Sequence, residues 1–203
     1  MLTFVHHTCA MNKKELLVLV LMLVAISTRF VFIVNGQSII PNFTAVAAIA
    51  ILGASHLRGA KKWFIPLAIL WASDLILNNV VYAQYYDSFQ VMGSMWVYGS
   101  ILCIGVMAYF LLRKASWGKL LLTSTLGAVL FFLITNFGVW IGPTSPYAKD
   151  ISGLMASYTA GIPFFRNAIL GDVFFSFVLF GAYEYLASKL TDVDPIITPK
   201  AIA

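Results

Sequence analysis

Long apolar runs separated by short polar stretches repeat along the chain. Six of them approach or exceed the ~18 residues that mark a membrane-spanning helix. They cover residues 15–35, 39–57, 63–81, 92–112, 120–139 and 163–188. The second is the weakest, because Pro41-Asn42 interrupts it and leaves a clean apolar core only over 44–57. The first run continues past Arg29 to Val34 with no small-x-small cleavage site after it, so it reads as a retained helix rather than a signal peptide. Residues 1–14 form a polar-ended leader, in which Met11 is a second candidate start. Residues 189–203, with Pro195 and Pro199, read as a disordered tail. The pattern predicts an all-α polytopic membrane protein whose domain spans 15–188.

Composition sharpens this reading. The chain has 203 residues, 61% hydrophobic and 10% charged, against about 25% charged in soluble domains. Its net charge of +5 does not point to nucleic acid, because the basic residues cluster at the ends of apolar runs. Lys13, Lys14, Arg58, Lys61, Lys62, Arg113, Lys114, Lys119 and Lys189 fall on one side, and only Lys149 falls in the alternate loops. Lys and Arg concentrate in cytoplasmic loops, so both termini are expected inside, in a multi-pass protein of the inner (cytoplasmic) membrane. Cys9 and Cys103 form no CxxC pair and no metal spacing. No HExxH, GxSxG or Walker loop is present, which argues against an enzyme, a resident cofactor or a built-in ATPase.

The charges inside the runs are the informative ones. At 1.5 Å per residue, Arg29 lies roughly 21 Å above the inner edge of a core about 30 Å thick. Asp74 lies at roughly 17 Å, with Asn78 one turn farther out, and Asp172 at roughly 24 Å. Arg166 lies about 9 Å beyond Asp172, and Asn136 joins the same outer layer. An Arg or Asp at mid-helix is disfavoured by about 2.5–3.5 kcal/mol and seeks the bundle interior. The expectation is a polar chamber in the outer half, with Trp140 and Tyr158 as walls. Asp74 and Asn78 at i, i+4 share a face. Gly161-Ile162-Pro163 reads as a helix start, which would set Arg166 beside a positive helix end and suit it to an anionic group. The competing reading is structural, with Arg29–Asp74 and Arg166–Asp172 as interhelical glue and no ligand, although Arg166 and Asp172 lie about 120° apart on one helix and should not pair with each other. The outer segments 84–91 and 142–162 are the expected gates.

Three stretches carry a resemblance. "IIPNFTAVAAIAILGA", "PLAILWASDLIL" and "GIPFFRNAILGDVFFSFVLFGAYEYL" resemble the substrate-binding S components of energy-coupling-factor (ECF) vitamin transporters, over residues 15–188. The skeleton PNFT…SDL…NF…PFFRN…GD is also similar to an uncharacterised six-span bacterial family. The resemblance implies six helices, both termini inside, and an outer pocket that captures a small, vitamin-like solute. It also implies a transmembrane coupling subunit and ATPases as partners. S components dock on that subunit through Ala-x-x-x-Ala in helix 1, whereas residues 15–24 here read "ELLVLVLMLV" and the small pair is Ala50/Ala54. A standalone ion- or proton-coupled carrier, using Asp74 and Asp172, and a ligand-free scaffold stand as alternatives.

Overall fold

The computed structural model describes residues 11–31, 33–34 and 37–190; the outer parts of the leader and tail assigned above lie outside these. Six α-helices follow one another: α1 (Lys13–Val31), α2 (Val46–His56), α3 (Lys61–Ile76), α4 (Met95–Leu111), α5 (Trp117–Ile141) and α6 (Ile151–Ala187). A two-residue antiparallel ladder, β1 (Ile33–Val34) with β2 (Gln37–Ser38), joins α1 to the segment before α2. Four helical segments, at 61–81, 95–114, 117–141 and 151–187, are long and apolar enough to cross a membrane. Their outward faces carry Phe64, Leu102, Phe110, Leu122, Leu170 and Phe174, all exposed, as expected of surfaces that meet lipid rather than water.

The second predicted span is shorter than expected. Only Val46–His56 is helical, and every residue from Val46 to Ala54 is buried. Eleven residues reach about 16 Å, roughly half of a bilayer core. The chain ahead of it runs as irregular backbone through Pro41, Asn42 and Phe43. Alanine and isoleucine on all sides leave α2 no polar face, so it sits at the centre and packs against the five other helices.

The sixth helix departs in the other direction. It begins at Ile151, twelve residues before the expected start at Pro163, and runs for 37 residues. Asp150 is its N-cap, accepting from the Gly153 N–H at 2.8 Å, which is what an aspartate does at that position. This exposed carboxylate is held below its usual pKa range by the Gly153 amide and the Ser152 hydroxyl. Pro163 lies inside the helix, where its ring nitrogen cannot donate to the Thr159 carbonyl. Arg166 is therefore a mid-helix residue, and no helix end lies beside it.

A second buried charge lies at the other end of α1. Glu15, buried, pairs with Lys61 at 2.6 Å and accepts from the Arg58 N–H at 3.1 Å, joining the first turns of α1 and α3. Interior hydroxyls are mostly satisfied within their own helices. Ser100, Thr123 and Ser124 donate to carbonyls three or four residues back, as buried serines and threonines in helices commonly do.

Helices α4 and α5 meet where Trp96 lies on Gly138, whose missing side chain admits the indole; a Cβ there would fall inside the ring. Gly138→Ala should therefore destabilise the protein by about 1–3 kcal/mol through overpacking, read as a lower melting temperature in detergent. Adding Trp96→Leu should recover much of the loss; no recovery would mean the indole is not the cause.

Candidate functional site

Arg29, in the last turn of α1, reaches α3. Its Nη1 donates to Asp74 Oδ1 at 2.7 Å and also to the Ser73 hydroxyl. The second carboxylate oxygen, Oδ2, accepts from the Tyr98 hydroxyl of α4 at 2.6 Å. One carboxylate thus ties three helices together, and the depth match between Arg29 and Asp74 is real contact. Tyr98 was not legible as a partner, because a tyrosine near a span end reads as part of an interfacial belt.

Asn78 does not share this cluster. Beyond Ile76 the helix widens into a π turn over Leu77–Val81, which changes the angular spacing that i, i+4 assumes. Asn78 is half-buried and lines a shallow outer depression with Asn79, Tyr86 and Asp87. Its neighbour Asn79 holds the α3–α4 loop, accepting from the Gln90 N–H at 2.7 Å and donating to the Gln90 carbonyl at 2.8 Å. Trp71 donates to the Val91 carbonyl at 2.9 Å in the same loop.

The irregular segment before α2 lies across α6. Asn42 adopts φ 63°, a left-handed conformation that asparagine tolerates better than most residues. Asn167 of α6 donates to the Pro41 carbonyl at 3.0 Å. Gly171 lets the backbone at Phe43 and Thr44 come close, since a Cβ there would stand 3.2 Å from Phe43 Cα. The Phe43 ring packs on Phe175 with centroids 5.4 Å apart. In the sequence Asn42 reads, with Pro41, as an interruption of the second run, which does not point to its place in the site.

Beneath this segment lies a cavity of about 180 Å³, bordered by Arg29, Asn42, Thr44, Ala47, Phe131 and Asp172. It adjoins a second space of about 350 Å³, bordered by Phe132, Asn136, Tyr147 and Phe165 among others. Asn42, Val97, Phe131 and Ala168 border both. Of the sequence candidates, Arg29 and Asp172 meet at the smaller chamber and Asn136 faces the larger. Asp74 stands behind Arg29 as its counter-ion.

Asp172 differs from every other buried charge in the bundle. It is 6% exposed, yet it makes no hydrogen bond or ion pair among the described residues. Arg166 does not pair with Asp172, as their separation around the helix implies: it is exposed on α6 and lines neither chamber. Trp140 and Tyr158 are not walls of the smaller space either. Trp140 donates to the Ala148 carbonyl at 2.8 Å, and Lys149 caps the Trp140 and Gly142 carbonyls, so both shape the α5–α6 loop. Tyr158 donates to the Leu133 carbonyl at 3.0 Å, with its ring on Phe132.

A family model matches residues 10–195 and is described as a family of unknown function, DUF6580. The chain belongs to DUF6580. No curated protein and no solved structure matches it. The chemistry available to this DUF6580 protein is therefore argued from its own side chains.

Breaking a buried ion pair by removing one partner typically costs 3–5 kcal/mol. Arg29→Ala should approach that loss, whereas Tyr98→Phe, which removes one donor, should cost about 1–3 kcal/mol. Thermal unfolding in detergent reads both, and an Arg29→Ala protein as stable as the parent would show that Asp74 is not held by this contact.

Proposed function

We propose that this chain crosses the inner membrane six times with both termini inside and binds a small solute from the outer side. In this reading it is the substrate-specificity subunit of an ECF-like importer. The observation that carries it is Asp172, a buried carboxyl left without a partner among the described residues at the edge of a void. Structural pairs bring their own counter-groups, as Arg29 and Asp74 do. A carboxyl that faces open space with none is arranged for something that arrives.

The placement of the void supports the same reading. It lies beside a broken span, at the start of a half-length helix, where membrane carriers commonly place solutes. Alternating access is not required of a subunit that only captures. A standalone carrier is the second reading, because an unpaired intramembrane carboxyl also suits proton or cation coupling. Purified protein in liposomes separates the two. Uptake without other subunits favours the carrier, and uptake that needs a coupling subunit and ATPases favours the importer.

Both outer loops expected to gate the chamber are tied down by side-chain hydrogen bonds, at Asn79, Trp71, Trp140 and Lys149. The segment over 40–45 is held to α6 by Asn167 and by Phe43 packing, and it forms the lid of the smaller space. Mass spectrometry of material released from protein purified in mild detergent should find a bound small molecule. Ala160→Phe, which fills the larger space, should abolish that occupancy while leaving a monodisperse protein. Amide exchange on occupancy should slow more over 40–45 than over 84–91. Repeated empty preparations, with no thermal shift across a solute panel, would end the capture reading and leave a scaffold.

A further inference from the structure

The charges around the smaller chamber do not balance. Arg29 borders it, but Asp74 already holds that guanidinium at 2.7 Å. Arg166 is exposed elsewhere on α6, and Lys149 is engaged with loop carbonyls. Asp172 faces the space with no cation of its own among the described residues. Ser176, one turn deeper on the same helix, is also buried with an unpartnered hydroxyl, so no donor reaches the carboxyl from that side. A lone ionised carboxylate in a low-dielectric interior is strongly unfavourable unless a cation or strong donor meets it.

The opposite sign is present but smaller. Helix α2 starts at Val46 with no side-chain cap on its first turn, and Val46 and Ala47 border the same chamber. Such an end carries roughly half a positive charge, less than the full charge of a carboxylate, so it cannot by itself offset Asp172 once that carboxyl is ionised. Its uncapped N–H groups add a place for an acceptor next to the position where a cation would sit.

The adjoining space is largely aromatic, with Asn42, Thr135, Asn136, Tyr147 and Ser157 as its polar lining. Phe131 and Phe132 of α5 face Phe164 and Phe165 of α6 there, with the Phe132 and Phe165 rings 4.6 Å apart. An apolar cavity of about 150 Å³ takes up benzene, so the 350 Å³ beside the charged pocket has room for a body of one or two rings. Resting on the solute-binding reading above, we propose that the solute is an aryl-alkyl amine or amino acid: its ammonium group meets Asp172 in the smaller chamber, and its ring system lies among the phenylalanines of the larger one.

Four probes of one shape separate the charge classes: tryptamine, L-tryptophan, the neutral alcohol tryptophol and the anion indole-3-propionate. Isothermal titration calorimetry on the wild-type protein in detergent at neutral pH reads the order directly. At least one of the two amines should bind tenfold or more tighter than tryptophol, with indole-3-propionate weakest. Tryptophan ahead of tryptamine would show that the α2 end accepts the carboxylate, and the reverse order that the ammonium alone is read. Asp172→Asn should weaken the amine at least tenfold and leave tryptophol unchanged. If that variant does not fold, the wild-type order decides alone. Tryptophol or indole-3-propionate binding as tightly as either amine would overturn the amine assignment and leave solute capture standing. No binding by any probe would also overturn it; a neutral or anionic compound released from the purified protein would then preserve capture, and an empty protein would end both.

Discussion

A helix with no polar face and half the length of a span governs this architecture. α2 must be covered on every side, and the five other helices provide that cover. Because it is 11 residues long, the outer part of the interior along its axis cannot be filled by the same helix. Non-helical backbone at membrane depth is tolerated only where it is buried in protein or lines a cavity. The segment from Ile40 to Ala45 meets that condition by lying against α6 through Pro41, Phe43 and Gly171. The chamber follows from this arrangement, since a loop fills space less completely than a helix turn would.

Within that interior, how each polar group is satisfied separates support from function. Ser100, Thr123 and Ser124 turn back on their own helices. Glu15 meets Lys61 at the first turns of α1 and α3, and Asp74 takes donors from two other helices on its two oxygens. Buried polar atoms in folded proteins are nearly always matched in this way. Against that background the unmatched pair on α6, Asp172 with Ser176 one turn below, is not a general looseness of the fold. It is confined to one helix face, and Asp172 borders open space.

The helical segments were legible because apolar runs need no tertiary information to be seen. The Arg29–Asp74 contact was legible as well, since the expense of a charge in lipid forces two residues at similar depth to meet. What failed was local punctuation. Gly161-Ile162-Pro163 imitates a helix start, while the true cap, Asp150, stands in a polar stretch that reads as loop. That error placed Arg166 at a helix end and assigned it an anion that its mid-helix, exposed position does not support. Asn78 was misplaced because a π turn cannot be anticipated from i, i+4 spacing. Nothing in the sequence tied Tyr98 or Asn42 to the site. One depends on a neighbour 24 positions away, and the other on a backbone conformation.

An importer reading places a demand on the surface as well as on the chamber. Close approach of a partner helix needs small residues at the contact. The first part of α1 presents Leu16, Val20 and Leu23 outward, and the small pair Ala50 and Ala54 is buried inside the bundle. Exposed small residues near α1 are found on α3, where Ala68 and Ala72 stand one turn apart in a groove shared with Leu19 and Leu23. Ser73, which borders that groove, accepts from Arg29, and Asp74 follows it. A subunit that approached through this groove would press on the helix that anchors the chamber's guanidinium. Docking and solute binding would then be linked through one turn of α3, with no need for a contact on the leucine face of α1.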